Sequence, residues 1–436
     1  MALLAAGLLS NPSAYSEATA PEDLPDVSKA PFKVRVIEAG DLKAYFRPLY
    51  TTYGNPDDYE TGPGGSLDGV GKLILTRTDF TVGCSGALLS TGIHVLTAAH
   101  CVTDNNGNLN LVSGDVTFEG DSSTVSIAVN AGATSVHPDW DGDILRGNDV
   151  AVLNLVSIAP SDITRYDIDR NGNDDIGAVG SKVGYGKSGN GNDGDVLGWG
   201  TKRDGQNKYD DTADTMLKAL RLKPGKDFAS GSVLQYDFDN GKSQNDAFGF
   251  FFNKHDLGLG QPEVNSAPGD SGGPTLTNGV VSGITSYGVR LQTVFGASSD
   301  IDGELNSSFG EFSGDTRVAK YASFIDGVTV GSDDGSGGGE QGITVTTITP
   351  NQVSKGSSLS VSIGGTAFQS GATVSLANGC GPTPTLSNVA VSSETQITAT
   401  ITAKNNGPQR NCSFDVIVTN PDGSSGVLSK GFTVIA

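Results

Sequence analysis

The segment Gly269-Asp270-Ser271-Gly272-Gly273-Pro274 is built for nucleophilic attack by a serine. Glycines on both sides let another backbone approach closely, and they leave neighbouring N–H groups free to face a developing oxyanion. A serine hydroxyl is a weak nucleophile until a base takes its proton. Of the four histidines, His94, His100, His137 and His255, the one best placed as that base is His100. It stands in Leu96-Thr97-Ala98-Ala99-His100-Cys101, at the end of an apolar run and among small side chains that leave an imidazole open to a cleft. His94 falls in mid-strand, and His137 precedes Pro138 in a polar segment. The base needs an orienting acceptor in turn. Asn148-Asp149-Val150-Ala151-Val152-Leu153 sets a carboxylate against an apolar strand, where its charge is costly without a hydrogen-bonded partner. An imidazole N–H is such a partner, and it fixes the tautomer that a general base requires. Taken alone, Asp149 also fits a surface acid at the start of a strand.

The serine string also satisfies the G-x-S-x-G elbow of α/β-hydrolases. Chain order separates the two readings, because that fold places its histidine after the serine. All four histidines here precede Ser271. That rival fails.

Together, Thr97-Ala98-Ala99-His100-Cys101, Asn148-Asp149-Val150-Ala151-Val152-Leu153 and Gly269-Asp270-Ser271-Gly272-Gly273-Pro274 resemble the three signature segments of the chymotrypsin/trypsin family, in that family's order. Cys84-Ser85-Gly86-Ala87-Leu88, Val183-Gly184-Tyr185-Gly186, Ser286-Tyr287-Gly288 and Thr316-Arg317-Val318 extend the resemblance over residues 66–327. It implies two six-stranded antiparallel β-barrels and a serine endopeptidase that works through an acyl-enzyme. Ser271 would be the nucleophile, His100 the general acid/base and Asp149 its orienter, with the N–H groups of Gly269 and Ser271 as oxyanion hole. Ser286, Tyr287 and Gly288 would pair with the substrate backbone as an added strand. Asn265, six residues before the serine, would lie at the base of the pocket for the substrate side chain.

Two departures matter. Asn265 carries no charge, so a preference for Lys or Arg does not follow unless Glu311 or Asp315 supplies a carboxylate from another wall. The new N-terminus that pairs with the acid before the serine is not recognisable ahead of Lys72, which leaves Asp270 without an assigned partner. The alternative to an enzyme is a protease-like binding or adhesion protein. Its mark would be a lost triad residue, and all three are present.

These residues need strands to hold them. Short apolar runs such as Lys72-Leu73-Ile74-Leu75, His94-Val95-Leu96-Thr97 and Ser126-Ile127-Ala128-Val129 are separated by turn residues, which predicts an all-β protein. A length of 436 residues calls for more than one domain. Residues 66–330 form the expected peptidase domain, with a second β-rich block from 180 that carries an acidic insert around Asp204–Asp214 and ends in a short helix. Residues 331–342 read as a Gly/Ser/Asp linker. Residues 343–436 read as a small β-sandwich. Through Ile348-Thr349-Pro350-Asn351, Gly364-Gly365-Thr366-Ala367-Phe368, Gly371-Ala372-Thr373-Val374 and Val418-Thr419-Asn420-Pro421-Asp422-Gly423 this block resembles bacterial IPT/TIG immunoglobulin-like domains. Such a domain would bind a surface or another protein.

Twenty-eight Lys+Arg against 49 Asp+Glu give a net charge of −21, which argues against nucleic acid or anionic lipid as a partner and leaves a polypeptide substrate. The cysteines fall as two near pairs, Cys84/Cys101 and Cys380/Cys412, with no C-x-x-C spacing and no adjoining histidine cluster, so disulfides fit better than zinc. Ala2-Leu3-Leu4-Ala5-Ala6-Gly7-Leu8-Leu9, with Ala14-Tyr15-Ser16 as a cleavage site, reads residues 1–16 as a signal peptide and the protein as secreted. Residues 17–65, polar and rich in Pro, Gly and acids, read as an extension or propeptide. Nowhere else is there an apolar run long enough to span a membrane. Asp167-x-Asp169-x-Asn171-Gly172-x-x-Asp175 follows the start of an EF-hand-type calcium loop. Ala178 stands where a bidentate Glu is expected, so calcium there is weak and an Asx-rich connector is the alternative. No other cofactor is called for.

Overall fold

The computed structural model describes residues 35–47, 50–173, 175–330, 343–377, 379–406, 410–421 and 425–435. The proposed signal peptide and the linker at 331–342 lie outside them. The chain divides into two compact units, one ending at Ile325 and one beginning at Asp326.

The first unit opens with three strands where the sequence suggested only a polar extension: β1 (Arg35–Ala39), β2 (Leu42–Arg47) and β3 (Tyr50–Thr52). Polar composition hid a period of two. In Leu42-Lys43-Ala44-Tyr45-Phe46, Ala44 and Phe46 are fully buried while Lys43 and Tyr45 keep partial exposure.

Seven strands follow: β4 (Val70–Arg77), β5 (Thr81–Leu88), β6 (His94–Thr97), β7 (Leu111–Glu119), β8 (Thr124–Ala128), β9 (Ser135–Val136) and β10 (Ala151–Asn154). They form one sheet in the order β8-β7-β4-β5-β6-β10-β9, antiparallel at every junction.

A second sheet is built from β11 (Val179–Gly184), β12 (Arg203–Lys208), β13 (Asp211–Thr212), β14 (Val233–Asp237), β16 (Pro274–Thr277), β17 (Val280–Thr293) and β18 (Phe312–Arg317); β15 (Val264–Ser266) stands apart and pairs with β3. The order is β12-β11-β16-β17-β18-β14-β13, with β2 on β17 and β1 on β2. The short helices α1 (Asp214–Ala219) and α2 (Ala247–Phe252) belong to this unit, and α3 (Ala322–Val330) begins at its end and runs past Ile325. The fold is all-β, as expected, but the sheets hold seven and nine strands rather than six each. The N-terminal strands and the short edge strands β9 and β13 account for the excess. The acidic insert at Asp204–Asp214 also proves to be structure: it is most of edge strand β12, then β13 and the first residue of α1.

Packing follows the pleat. Leu73, Leu75, Val116, Phe118 and Val152 face the interior of the first sheet, and Phe46, Phe248, Tyr287 and Phe312 bury together in the second. The second unit holds β19 (Thr344–Thr349), β20 (Gln352–Ser354), β21 (Ser358–Thr366), β22 (Thr373–Ala377), β23 (Thr385–Ser393), β24 (Gln396–Thr402), β25 (Cys412–Thr419) and β26 (Ser425–Ile435). Two four-stranded sheets, β19-β21-β24-β23 and β20-β26-β25-β22, share a core that includes Ile363, Ile397, Phe414 and Phe432.

Both expected disulfides are present. Cys380 joins Cys412, and Cys84 on β5 joins Cys101 just beyond β6, across 17 residues. Closing a loop of that length stabilises the fold by about 3 kcal/mol. The Cys84→Ala/Cys101→Ala variant is therefore expected to lose about that much stability in urea-unfolding equilibria. An unchanged unfolding midpoint would mean that this bridge constrains nothing.

Candidate active site

Antiparallel pairing of β6 with β10 sets Ala151 opposite Thr97. The chain leaves β6 into a single helical turn at Ala99–Cys101 and enters β10 from Asp149, so His100 and Asp149 meet at the same end of the sheet. His100 Nδ1 lies 2.7 Å from Asp149 Oδ2, and the His100 backbone N–H donates to Asp149 Oδ1 at 2.9 Å. Ser286 Oγ donates to Asp149 Oδ2 at 2.5 Å. Asp149 is only 1% exposed, and these three donors compensate a charge that burial alone would make untenable. The carboxylate beside Nδ1 makes that nitrogen the N–H donor and leaves Nε2 as the basic one.

Ser271 sits on the loop between β15 and β16, and Ser85 of β5 pins that loop from the other sheet. Ser85 N–H donates to the Ser271 carbonyl at 2.8 Å, and its hydroxyl donates to the Gly269 carbonyl at 2.9 Å. The Tyr185 N–H donates to the same hydroxyl at 3.0 Å, and Gly272 N–H donates to Thr285 O at 2.9 Å. The loop is held from β5 and β17 at once. Gly272 adopts φ +81°, and a Cβ there would stand 2.0 Å from Thr97 Oγ1, so no other residue fits. Among the described residues, the N–H groups of Gly269 and Ser271 have no hydrogen-bond acceptor. The sequence contained Ser85 inside a family match but offered no sign of its role, because both carbonyls it holds are more than 180 residues away.

Asp270 finds its partners in the backbone. Gly186 N–H donates to Oδ1 at 2.8 Å and Ala267 N–H to Oδ2 at 3.2 Å. Burial drives its carboxyl well above the usual range, against the Gly186 hydrogen bond and the charges of Arg203 and Lys182. A Cβ on Gly186 would lie 2.4 Å from Asp270 Oδ2, so the carboxylate occupies the space that glycine vacates.

Asn265, on β15, is buried. Its Oδ1 accepts from Ser313 Oγ at 2.6 Å and from Ser266 N–H at 3.0 Å. Two donors on the oxygen fix the amide's orientation, and Nδ2 has no acceptor among the described residues. The acids that might have recharged this region are committed elsewhere. Asp315 Oδ2 accepts from Lys182 Nζ, Tyr209 OH and Thr275 Oγ1, each at 2.6 Å. Glu311 accepts from the N–H groups of Asn306 and Ser307 at 2.9 and 3.0 Å, and burial holds its carboxyl well above the usual range.

The edge assigned to substrate is partly used within the chain. Tyr287 is buried against Phe46, and Gly288 pairs with Arg47 of β2, whose register runs from Leu42 opposite Thr293. The calcium motif also has other partners: Asp167 pairs with Arg170 Nη1 at 2.7 Å, Asp175 with Arg317 Nε at 2.6 Å, and Asp169 accepts from the N–H groups of Asn171 and Gly172. In these contacts the carboxylates act as turn and strand anchors.

The trypsin family model matches residues 65–295. A protein named trypsin from Saccharopolyspora erythraea is 29% identical over 222 residues, which is 50% of this chain and 80% of the relative. The chain belongs to the trypsin family. It is a serine-type endopeptidase.

Proposed function

We propose that the chain is an exported endopeptidase that cleaves peptide bonds through an acyl-enzyme, with Ser271, His100 and Asp149 as its triad. The observation that carries this reading is the buried His100–Asp149–Ser286 contact beside a serine loop pinned through Ser85. Ser271 Oγ attacks the scissile carbonyl carbon while its proton passes to His100 Nε2. The oxyanion that forms is met by the N–H groups of Gly269 and Ser271. Collapse breaks the C–N bond, and His100 returns the proton to the departing amine. Water then attacks the ester by the same route, with His100 again taking and returning a proton, and frees Ser271. Asp149 keeps the imidazole oriented throughout and stabilises its protonated form.

Ser286 and Tyr287 offer their backbone to the substrate as an added strand. A peptide that extends past Gly288 has to displace β2 from the same edge. Two disulfides suit an oxidising compartment, and no described helix is long and apolar enough to cross a membrane. The second unit serves as an immunoglobulin-like module of the IPT/TIG kind that holds the enzyme on a surface or partner.

Ser271→Ala is expected to lower kcat by several orders of magnitude and to abolish labelling by a serine-directed phosphonate, with the thermal midpoint unchanged. Undiminished labelling of the alanine variant would remove Ser271 from the mechanism.

The pocket base is uncharged, and an Arg or Lys side chain entering it loses hydration that only a fixed carboxylate replaces well. Asn265 Nδ2 offers a donor, which suits polar-neutral side chains and tolerates apolar ones. Matched peptides differing only before the scissile bond are expected to favour uncharged residues over Arg by about tenfold or more in kcat/KM. A preference for Arg would show that an acid reaches the pocket after all.

A further inference from the structure

Beyond the catalytic apparatus, the first unit buries a second group of carboxylates that the reaction does not use. Asp237 ends β14, Asp239 begins the long connection to β15, and Asp246 precedes α2 on that same connection. One oxygen from each lies within 4.8 Å of the others, and all three side chains are buried. Parts of the set already have donors. Asp237 Oδ2 accepts from Phe248 N–H at 2.8 Å, and Asp246 accepts from Gly249 N–H at 2.5 Å and faces His255 Nδ1 at 3.1 Å. Asp239 differs: at 2% exposure its Oδ1 is sealed from water and has no hydrogen-bond donor among the described residues.

Surrounding charge makes this worse. Glu263 is buried close by, with Oε1 taking the Asp239 N–H at 2.7 Å. Asp210 adds another acid, and Lys208 is divided between Asp210, at 3.4 Å, and Asp256. Besides Lys208, the largely exposed His255 imidazole is in contact with the group, at Asp246. A buried carboxylate without a donor or a counter-charge costs several kcal/mol.

We propose that Asp237, Asp239 and Asp246 form a calcium site whose ion ties the end of β14 to the connection leading into β15. Calcium takes six to eight oxygen ligands at about 2.3–2.6 Å, so oxygens on one ion stand up to about 5 Å apart. Oxygens that all lie within 4.8 Å of one another are close enough to share one such ion. The consequence reaches the pocket wall. The connection returns through Glu263 to Asn265, so the ion anchors the segment that precedes the residue at the pocket base. This site is separate from the Asp167–Asp175 loop, where Arg170 holds Asp167 and Arg317 holds Asp175.

The test uses the full chain carrying Ser271→Ala, so that self-cleavage cannot interfere, stripped with chelator and titrated with Ca2+ alone in a calorimeter. One ion per chain is expected, with a rise in thermal midpoint on the order of 5 °C at hundredfold excess over Kd. Asp239→Ala removes the ligand that has no internal donor. It is expected to weaken Ca2+ binding about a hundredfold or more and to erase the thermal shift, while melting in chelator no lower than its parent. That opposite response in chelator separates a metal ligand from a structural side chain. If the alanine variant packs poorly, Asp239→Ser is expected to show the same loss. Absence of Ca2+ binding by the parent, or binding unchanged in both Asp239 variants, would overturn the site.

Discussion

The site depends on one buried negative charge being satisfied. Asp149 lies almost wholly out of water, and three donors from two distant stretches of chain converge on it: two from His100 and one from Ser286. The β6–β10 pairing brings the first stretch within reach, and β17 of the other sheet brings the second. Docking of one sheet against the other therefore completes the coordination of a single carboxylate. Thr316 Oγ1 donates to the Asp149 carbonyl at 2.9 Å, which adds a further tie from β18. Loss of any donor leaves a charge that the interior cannot tolerate.

The same economy of charge runs through the rest of the first unit. A chain with a net charge of −21 must hold many acids, and most of them face water. Several of those that do not are given a specific answer. Asp270 rests on the N–H groups of Gly186 and Ala267, Asp315 on Lys182 with two hydroxyls, and Glu311 on two loop N–H groups. The Asp237–Asp239–Asp246 group stands out against this pattern, since Asp239 has no such answer from the protein.

The segments that carry His100, Asp149 and Ser271 stood out in the sequence because each is short and contiguous. The glycines after Ser271 relieve real clashes, and the apolar run beside Asp149 is a buried strand. Both disulfide pairs were legible for the same reason: they are close in sequence. What escaped was long-range. Ser85 acts on carbonyls far along the chain, β2 joins a strand some 240 residues later, and the three aspartates meet only after α2 folds back. Composition misled in one place. Residues 35–52 are polar enough to pass for an extension, yet alternate residues of β2 are buried in the second sheet.

The measurement closest to the central claim is the steady-state kinetics of Asp149→Asn. An amide of the same shape keeps the packing but presents an N–H where His100 needs an acceptor, which favours the wrong imidazole tautomer. The account predicts that kcat falls about 10⁴-fold near neutral pH, while KM and the thermal midpoint stay close to those of the parent. A variant that keeps kcat within tenfold of the parent would contradict it, because the buried carboxylate would then be holding the fold and not the base.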